Sequence, residues 1–186
     1  MTDTTFTNFI QTNAVLKLEN HNFSNEVIFE EVLQDADLIN INFLNFDFDY
    51  TDLYYCDFSA CSFKNCNFHK NFSLWRKCNF YDCTFENCTL ADCKWSRVDF
   101  YSTRFIHCNF QNLNLKNSKL MTCELRHTNW DKICLESIGF SKMTIHETTF
   151  TNLKFDPLST SSIGNFEEFL QVHHSQTFNK VINKLF

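Results

Sequence analysis

The residues of this sequence with the greatest chemical potential are its ten cysteines, nine of which lie between positions 56 and 123. Many recur at intervals of five, as in CSFKNCNF from residue 61. Cysteines at this density usually form disulfides or bind a metal ion. A structural zinc site needs convergent Cys-x-x-Cys pairs, and the sequence contains none. Because no secretory signal or membrane-spanning apolar stretch is evident, we expect a cytoplasmic protein whose cysteines remain thiols.

The histidines do not complete a catalytic site either. His107 and His127 are twenty residues apart and could stack on one edge of the fold. No nucleophile paired with a base, no glycine-rich phosphate loop and no carboxylate pair in a pocket accompanies them. We therefore expect neither an enzyme activity nor a cofactor.

A register of five residues must position these side chains. Counting in fives from Leu18 to Phe68, and again from Trp75 to Phe155, marks 28 positions, and every one holds Phe, Leu, Trp or Ile. A period of five fits neither a helix nor an ordinary strand. It fits a solenoid in which each unit forms one side of a square and four units close one coil. The register predicts about seven coils and a rod of roughly 34 Å at the β-strand spacing.

The cysteines have a fixed place in this register. All except Cys134 stand two residues before a marked residue, a narrow inward position that small residues fill in other units. A buried cysteine behaves as a small apolar side chain. We therefore interpret the cysteines as packing residues. Stacked pairs such as Cys61/Cys83 and Cys66/Cys88 are expected to lie close together.

The units CDFSA, CNFYD, VDFYS and CNFQN resemble those of the pentapeptide-repeat proteins. The resemblance covers about residues 16–156 and implies an all-β solenoid, a right-handed quadrilateral β-helix. Residues 1–15 would form an N-terminal segment and 157–164 a linker. This chain departs from the family pattern by having almost no Gly at the turn, where Asn and Asp are frequent instead.

Two irregularities interrupt the register. His21, Glu26 and Glu31 occupy inward positions in the first units, which predicts a distorted or partly open first coil. The segment HKNFSLW, residues 69–75, carries two extra residues. A bulge there would turn Lys70 and Phe72 outward, as a candidate contact or merely as a tolerated surface turn.

Charge is divided unevenly along the chain. Residues 1–60 hold eleven acidic residues against the single base Lys17, whereas residues 61–186 carry a net charge of +4. An acidic end repels nucleic acid and attracts the basic grooves of proteins that bind it. Solvation of a solenoid end would explain the same charges. The candidate acidic contact surface consists of Asp35, Asp37, Asp47, Asp49, Asp52 and Asp57.

Aromatic residues offer a second candidate surface. Tyr81 and Tyr101 are one coil apart and should stack, and Tyr54 could join them in a contact patch. A plain aromatic ladder without a partner is the alternative.

The C-terminal segment, residues 165–186, shows helical rather than five-residue spacing. Asn165 can cap a helix whose first turn contains Glu167 and Glu168. We expect this segment to cap the solenoid and to form a homodimer. Its candidate interface consists of Phe166, Phe169, Leu170, Phe178, Val181, Ile182 and Leu185.

Two hypotheses for function remain. The Phe- and Cys-rich units, the acidic end and the terminal helix resemble the quinolone-resistance (Qnr) and toxin-immunity members of the family. That resemblance implies binding to DNA gyrase or topoisomerase IV, partly by imitating duplex DNA, and protection of the enzyme from a drug or toxin. Direct binding to nucleic acid is not expected. The alternative is a protein-interaction scaffold without a topoisomerase target.

Overall fold

The computed structural model describes residues 5–12, 16–68 and 74–155, in which each five-residue unit contributes one short β-strand. The middle residue of each strand points inward and its neighbours point outward, as strand alternation requires. The strands are β1 (Lys17–Glu19), β2 (Asn22–Ser24), β3 (Val27–Phe29), β4 (Val32–Gln34), β5 (Asp37–Ile39), β6 (Asn42–Leu44), β7 (Asp47–Asp49), β8 (Asp52–Tyr54), β9 (Asp57–Ser59), β10 (Ser62–Lys64), β11 (Asn67–Phe68), β12 (Leu74–Arg76), β13 (Asn79–Tyr81), β14 (Thr84–Glu86), β15 (Thr89–Ala91), β16 (Lys94–Ser96), β17 (Asp99–Tyr101), β18 (Arg104–Ile106), β19 (Asn109–Gln111), β20 (Asn114–Lys116), β21 (Lys119–Met121), β22 (Glu124–Arg126), β23 (Asn129–Asp131), β24 (Cys134–Glu136), β25 (Gly139–Ser141), β26 (Thr144–His146), β27 (Thr149–Thr151) and β28 (Lys154–Phe155).

Every fourth strand pairs in parallel, which gives four seven-stranded sheets. Sheet 1 contains β1 and each fourth strand to β25, and sheets 2, 3 and 4 begin with β2, β3 and β4 in the same way. Four successive strands make one coil. The strands align without slippage, so that Phe63 lies opposite Phe43 in the preceding coil and Phe85 in the following one. The predicted four-sided all-β solenoid is therefore confirmed.

The corners between the sheets are turns with a left-handed residue. This residue has a positive φ in every described turn that closes a unit, and it is never Gly. Its backbone N–H donates to the next coil, as in the 2.9 Å bond from Asn25 to the carbonyl of Leu44. At the corner between sheets 2 and 3, Asn45 and Asn65 each donate through Nδ2 to the Asn of the preceding coil, at 2.9 and 3.0 Å. Asn thus replaces Gly because it tolerates this conformation and adds a bond between coils.

Aromatic stacks along the axis fill the interior. In sheet 2, Phe63 stacks on Phe43 at 5.0 Å and on Phe85 at 4.6 Å, and Phe85 stacks on Phe105 at 5.0 Å between ring centroids. All four side chains are buried. Because the five-residue register stacks identical side chains at this spacing, the excess of Phe has an architectural cause.

The N-terminal end is closed by helix α1 (Phe6–Thr12). Phe6 is buried against Phe23 and Phe43, with ring centroids 5.1 and 5.0 Å away. Glu26 accepts hydrogen bonds from the backbone N–H groups of Phe6 at 2.9 Å and Thr7 at 3.1 Å. These bonds satisfy donors that the first turn of a helix cannot use itself.

The expectation of a distorted first coil was wrong. All four strands of the first coil pair in register with the second. His21 and Glu26 are accommodated at their inward positions because α1 lies beside them. Glu26 binds the first turn of α1, and His21 makes an edge contact with Phe9 at 5.4 Å.

Candidate interaction surfaces

The cysteines form columns in the interior. Each of the nine at inward positions is almost fully buried. The Sγ atom of Cys61, for example, donates to the carbonyls of Leu38 at 3.3 Å and Ser59 at 3.4 Å. The predicted neighbours Cys61 and Cys83 directly precede the paired strands β10 and β14, and their side chains are in contact. These contacts are the packing and hydrogen bonding of thiols.

Burial lowers the acidity of two of these thiols. It raises the pKa of Cys93 to about 12 and that of Cys123 to about 11, from an ordinary value of 9.0. A nucleophilic or metal-binding cysteine needs the thiolate form, which burial of this kind disfavours. Within the ranges that the structure describes, no three His, Cys, Asp or Glu side chains are grouped to hold a metal ion. The exception to burial is Cys134, whose side chain is half-buried on the outside of sheet 4.

Part of the predicted acidic surface is exposed. Asp37 and Asp57 lie opposite each other on neighbouring strands of sheet 1, and Asp57 is exposed while Asp37 is half-buried. Asp35 is exposed at the corner between sheets 4 and 1. These carboxylates lie close together and repel one another. They give this face a negative potential at the N-terminal end.

The other predicted acidic contacts lie on other faces, and one of them is buried. Asp49 is buried, with 6% of its surface exposed. Asp52 is half-buried in sheet 4, where it accepts hydrogen bonds from the backbone N–H of Leu74 at 2.7 Å and from the Tyr54 hydroxyl at 3.3 Å. Asp47 is half-buried in sheet 3. The acids of the first coils therefore surround the rod on three faces, because successive units lie on different sheets.

The predicted tyrosine patch is divided in the same way. Tyr81 and Tyr101 stack on sheet 1 with ring centroids 5.1 Å apart, as their spacing predicts. Tyr101 donates to Asp99 at 3.1 Å, and burial together with this carboxylate raises the pKa of Tyr101. Tyr54 lies on sheet 4 and cannot share that patch.

Two other predicted surfaces lie outside the described residues. They are the bulge contact at Lys70 and Phe72, and the C-terminal helical interface at Phe166, Phe169, Leu170, Phe178, Val181, Ile182 and Leu185. The proposed linker, residues 157–164, lies outside them as well.

Sequence reasoning missed an apolar surface on the first two coils. At the corner between sheets 3 and 4, Phe29 is 54% exposed, Val32 is 53% exposed, and Tyr50 contacts Phe29 edge to face at 5.6 Å. The exposed Glu30 stands at the corner between them. We call Phe29, Glu30, Val32 and Tyr50 the knob. Phe29, Glu30 and Val32 are close in sequence, but the assignment of each unit to a sheet is needed to bring Tyr50 against them.

A groove occupies the same corner at the other end of the rod. Its volume is about 710 Å³, and it runs along the fourth to seventh coils. Lys94, Lys132 and Lys154 border it, whereas the shorter Asn114 and Cys134 lie between Lys94 and Lys154 on sheet 4. Short side chains between long ones in one column explain the depression.

The basic residues of the later coils cluster around this groove. Sheet 4 and the corners on either side of it carry Arg76, Lys77, Lys94, Arg97, Lys116, Lys132 and Lys154. Of these, Lys116 pairs with Glu136 on the same sheet, and bases on the other sheets also lie beside acids, as in Lys64 with Glu86 at 2.9 Å and Arg126 with Glu124 at 2.5 Å. The positive charge of the later coils is therefore concentrated on one side of the rod.

The histidines form a surface stack. The rings of His107 and His127 are parallel with centroids 4.7 Å apart, and His127 Nδ1 lies 2.9 Å from a carboxylate oxygen of Glu147.

No helix in the described ranges is long and apolar enough to cross a membrane.

Comparison with solved structures finds other proteins of this architecture at low sequence identity. A trypsin-treated form of QnrB1, a plasmid-mediated fluoroquinolone resistance protein, is 15% identical, with 81% of this chain and 97% of that chain covered and a TM-score of 0.36. Rfr23, a pentapeptide repeat protein from the cyanobacterium Cyanothece 51142, is 16% identical, with 70% and 88% covered and a TM-score of 0.31. HetL, a pentapeptide repeat protein from Nostoc sp. strain PCC 7120 involved in heterocyst differentiation regulation, is 11% identical, with 76% and 90% covered and a TM-score of 0.22. No curated protein matches the sequence.

Family models match most of the solenoid. The model for pentapeptide repeats in eight copies matches residues 32–69, and that for a pentapeptide repeat region matches residues 78–159. Together they cover well over half of the chain and nearly all of the coils described above. The sequence register and the four-sided solenoid agree with both matches. The chain therefore belongs to the pentapeptide-repeat family.

Proposed function

We propose that this protein acts by binding another protein and catalyses no reaction. The observation that carries this proposal is the packed interior, where aromatic stacks and thiol columns occupy the space along the axis. Enzyme sites need a concave pocket with convergent polar groups of shifted pKa. The thiols with raised pKa lie inside the walls, so we expect the exposed side chains of the described faces to contact the partner.

The partner that we propose is a type II topoisomerase, DNA gyrase or topoisomerase IV. This choice rests on the resemblance of the Phe- and Cys-rich units to the quinolone-resistance members of the family. The exposed acids of the first three coils support it, because the DNA-binding surfaces of such enzymes are basic. Asp35, Asp37 and Asp57 are the acids that we expect to contact the enzyme. Asp49 is buried, and Asp52 already accepts hydrogen bonds from Leu74 and Tyr54, so we do not expect either to be a principal contact.

The mechanism would be competition at a surface. The acidic end would occupy a basic site partly as duplex DNA does, and so relieve poisoning of the enzyme by a drug or toxin. We propose that the protein works in the cytoplasm. We also propose that the C-terminal segment, residues 165–186, caps the rod and contributes to a homodimer.

Binding to immobilised gyrase tests this proposal. Asp37→Asn combined with Asp57→Asn should weaken binding at least about tenfold, because both charges face outward on one sheet. Asp82→Asn combined with Glu147→Gln removes the same charge from exposed corners of later coils and serves as the matched control. Equal affinities for the two double variants would exclude the acidic end as the contact.

The basic side of the rod favours a second candidate, a scaffold for another protein. The lysines and arginines around sheet 4 interrupt the negative surface that a DNA mimic would present. For this candidate we expect no binding of gyrase or topoisomerase IV by the wild-type protein. The same immobilised-enzyme experiment therefore distinguishes the two.

A further inference from the structure

The knob and the groove lie on the same edge of the rod, at opposite ends. Both belong to the corner between sheets 3 and 4, the knob on coils one and two and the groove on coils four to seven. At about 4.8 Å per coil, their centres are about 19 Å apart along the axis. Neither feature is needed to close the solenoid, because the exposed side chains of the knob contribute little to the core.

We propose that two copies of this chain associate side by side and antiparallel, with the knob of each copy seated in the groove of the other. A two-fold axis perpendicular to the rod, near its middle, exchanges the two ends of one edge. Each contact is then made twice, as in any isologous dimer, so this contact taken alone joins two copies and no more. This contact is separate from the proposed C-terminal dimer and does not depend on a topoisomerase partner.

The two surfaces are complementary in chemistry. The knob offers an exposed phenyl ring and a branched aliphatic side chain beside the carboxylate of Glu30. The groove offers the methylene stems and ammonium groups of Lys132 and Lys154, which can cover an aromatic ring while keeping their charge in contact with an acid. The one acid among the described lining residues, Asp92, accepts a hydrogen bond from Asn112 at 2.6 Å, and three lysines outnumber it. An exposed Phe is the kind of residue that anchors an interface when it enters a pocket.

A second copy fits this edge better than a long polyanion does. Nucleic acid lying in the groove and continuing along the corner would meet the carboxylate of Glu30 at the acidic end. Among the described residues that line the groove, none is an aromatic side chain on which a base could stack. The change of charge along one edge instead matches an antiparallel copy, whose acidic end lies beside the basic groove.

Reversing the charge of the knob in one variant and of the groove in another tests this geometry. Sedimentation equilibrium of the full chain measures the self-association of each variant and of their mixture. Glu30→Lys alone should weaken self-association at least about tenfold, and so should Lys132→Glu combined with Lys154→Glu. An equimolar mixture of the two variants should associate like the wild type, because both knob-groove contacts of the mixed dimer are again between opposite charges. Glu30 and Lys132 both stand at turn positions with a positive φ. Replacing Glu30 by Lys, or Lys132 by Glu, therefore leaves the backbone strain at these positions unchanged.

Cross-linking provides an independent measurement. Cys134 lies in the groove, and Phe29→Cys places a thiol on the knob. Under oxidation we expect a covalent dimer that disappears in Phe29→Cys/Cys134→Ser and in Phe29→Ser. Self-association that charge exchange leaves unchanged, together with no cross-link at Cys134, would assign the dimer to another surface. A wild-type protein that is monomeric up to about 1 mM, the weak end of specific association, would also overturn the proposal.

Discussion

Truncation of one phenylalanine in the central stack should damage the solenoid more than removal of the neighbouring cysteine. Phe85 is fully buried in the fourth coil and stacks on Phe63 and Phe105, at 4.6 and 5.0 Å. Phe85→Ala removes both stacking contacts and leaves a cavity between two coils that neighbouring strands hold apart. Core Phe→Ala substitutions of this kind cost about 3–5 kcal/mol.

Cys88→Ala is the matched comparison, three residues away in the same coil. The substitution removes one sulfur atom with weak bonds to the carbonyls of Phe63 at 3.3 Å and Glu86 at 3.4 Å. The lost volume is close to that of one methylene group, worth about 0.8 kcal/mol of burial. We therefore expect a loss of about 1 kcal/mol, a third or less of that for Phe85→Ala.

Urea unfolding followed by circular dichroism and by tryptophan fluorescence measures both losses. The three Trp residues report from different coils, so coincident transitions would show that the coils unfold together. A loss for Cys88→Ala equal to or larger than that for Phe85→Ala would refute the reasoning. The cysteines would then have a role beyond packing.

Three further changes test other parts of the fold. Glu26→Ala should lower the free energy of unfolding by about 1–2 kcal/mol and increase hydrogen exchange in α1, because it removes the acceptor for the first N–H groups of that helix. Unchanged exchange would show that α1 docks without this carboxylate. The free energy of unfolding should have its full value below pH 9 and should fall as the pH rises towards 11. In this window the thiols of the unfolded chain release protons that the buried thiols of Cys93 and Cys123 retain. A urea midpoint independent of pH between these values would contradict the raised pKa values. Thr122→Asn should raise the free energy of unfolding by up to about 1 kcal/mol, since a β-branched residue is strained at φ 57° and Asn is not. A decrease would mean that the Thr side chain makes a contact that stabilises the fold by more than this strain.

The coils could be predicted from the sequence because one physical rule determines them. A large apolar residue at every fifth position can be buried only if each unit turns by about the same angle, as in a four-sided coil. The inward position of the cysteines follows from strand alternation alone. The same rule predicted the stacks of Tyr81 on Tyr101 and of His107 on His127, since residues one coil apart must be neighbours.

Contacts outside this rule could not be predicted in the same way. Glu26 appeared to disturb the first coil, because its partners in α1 are 19 and 20 residues away in a segment with no repeat. Asp49 and Asp52 appeared equivalent to Asp57 because all three flank a marked residue. Their burial depends on which neighbouring side chains cover each outward position. The knob and the groove become visible only when the outward residues are sorted by sheet.

Supercoiling by DNA gyrase in the presence of a fluoroquinolone tests the proposed function most directly. We predict that the wild-type protein restores supercoiling at drug concentrations that inhibit the enzyme. Asp37→Asn/Asp57→Asn should lose this protection, whereas the control Asp82→Asn/Glu147→Gln should keep it. If the wild-type protein neither binds the enzyme nor relieves the inhibition, the proposed topoisomerase target is contradicted and the rod must serve another partner.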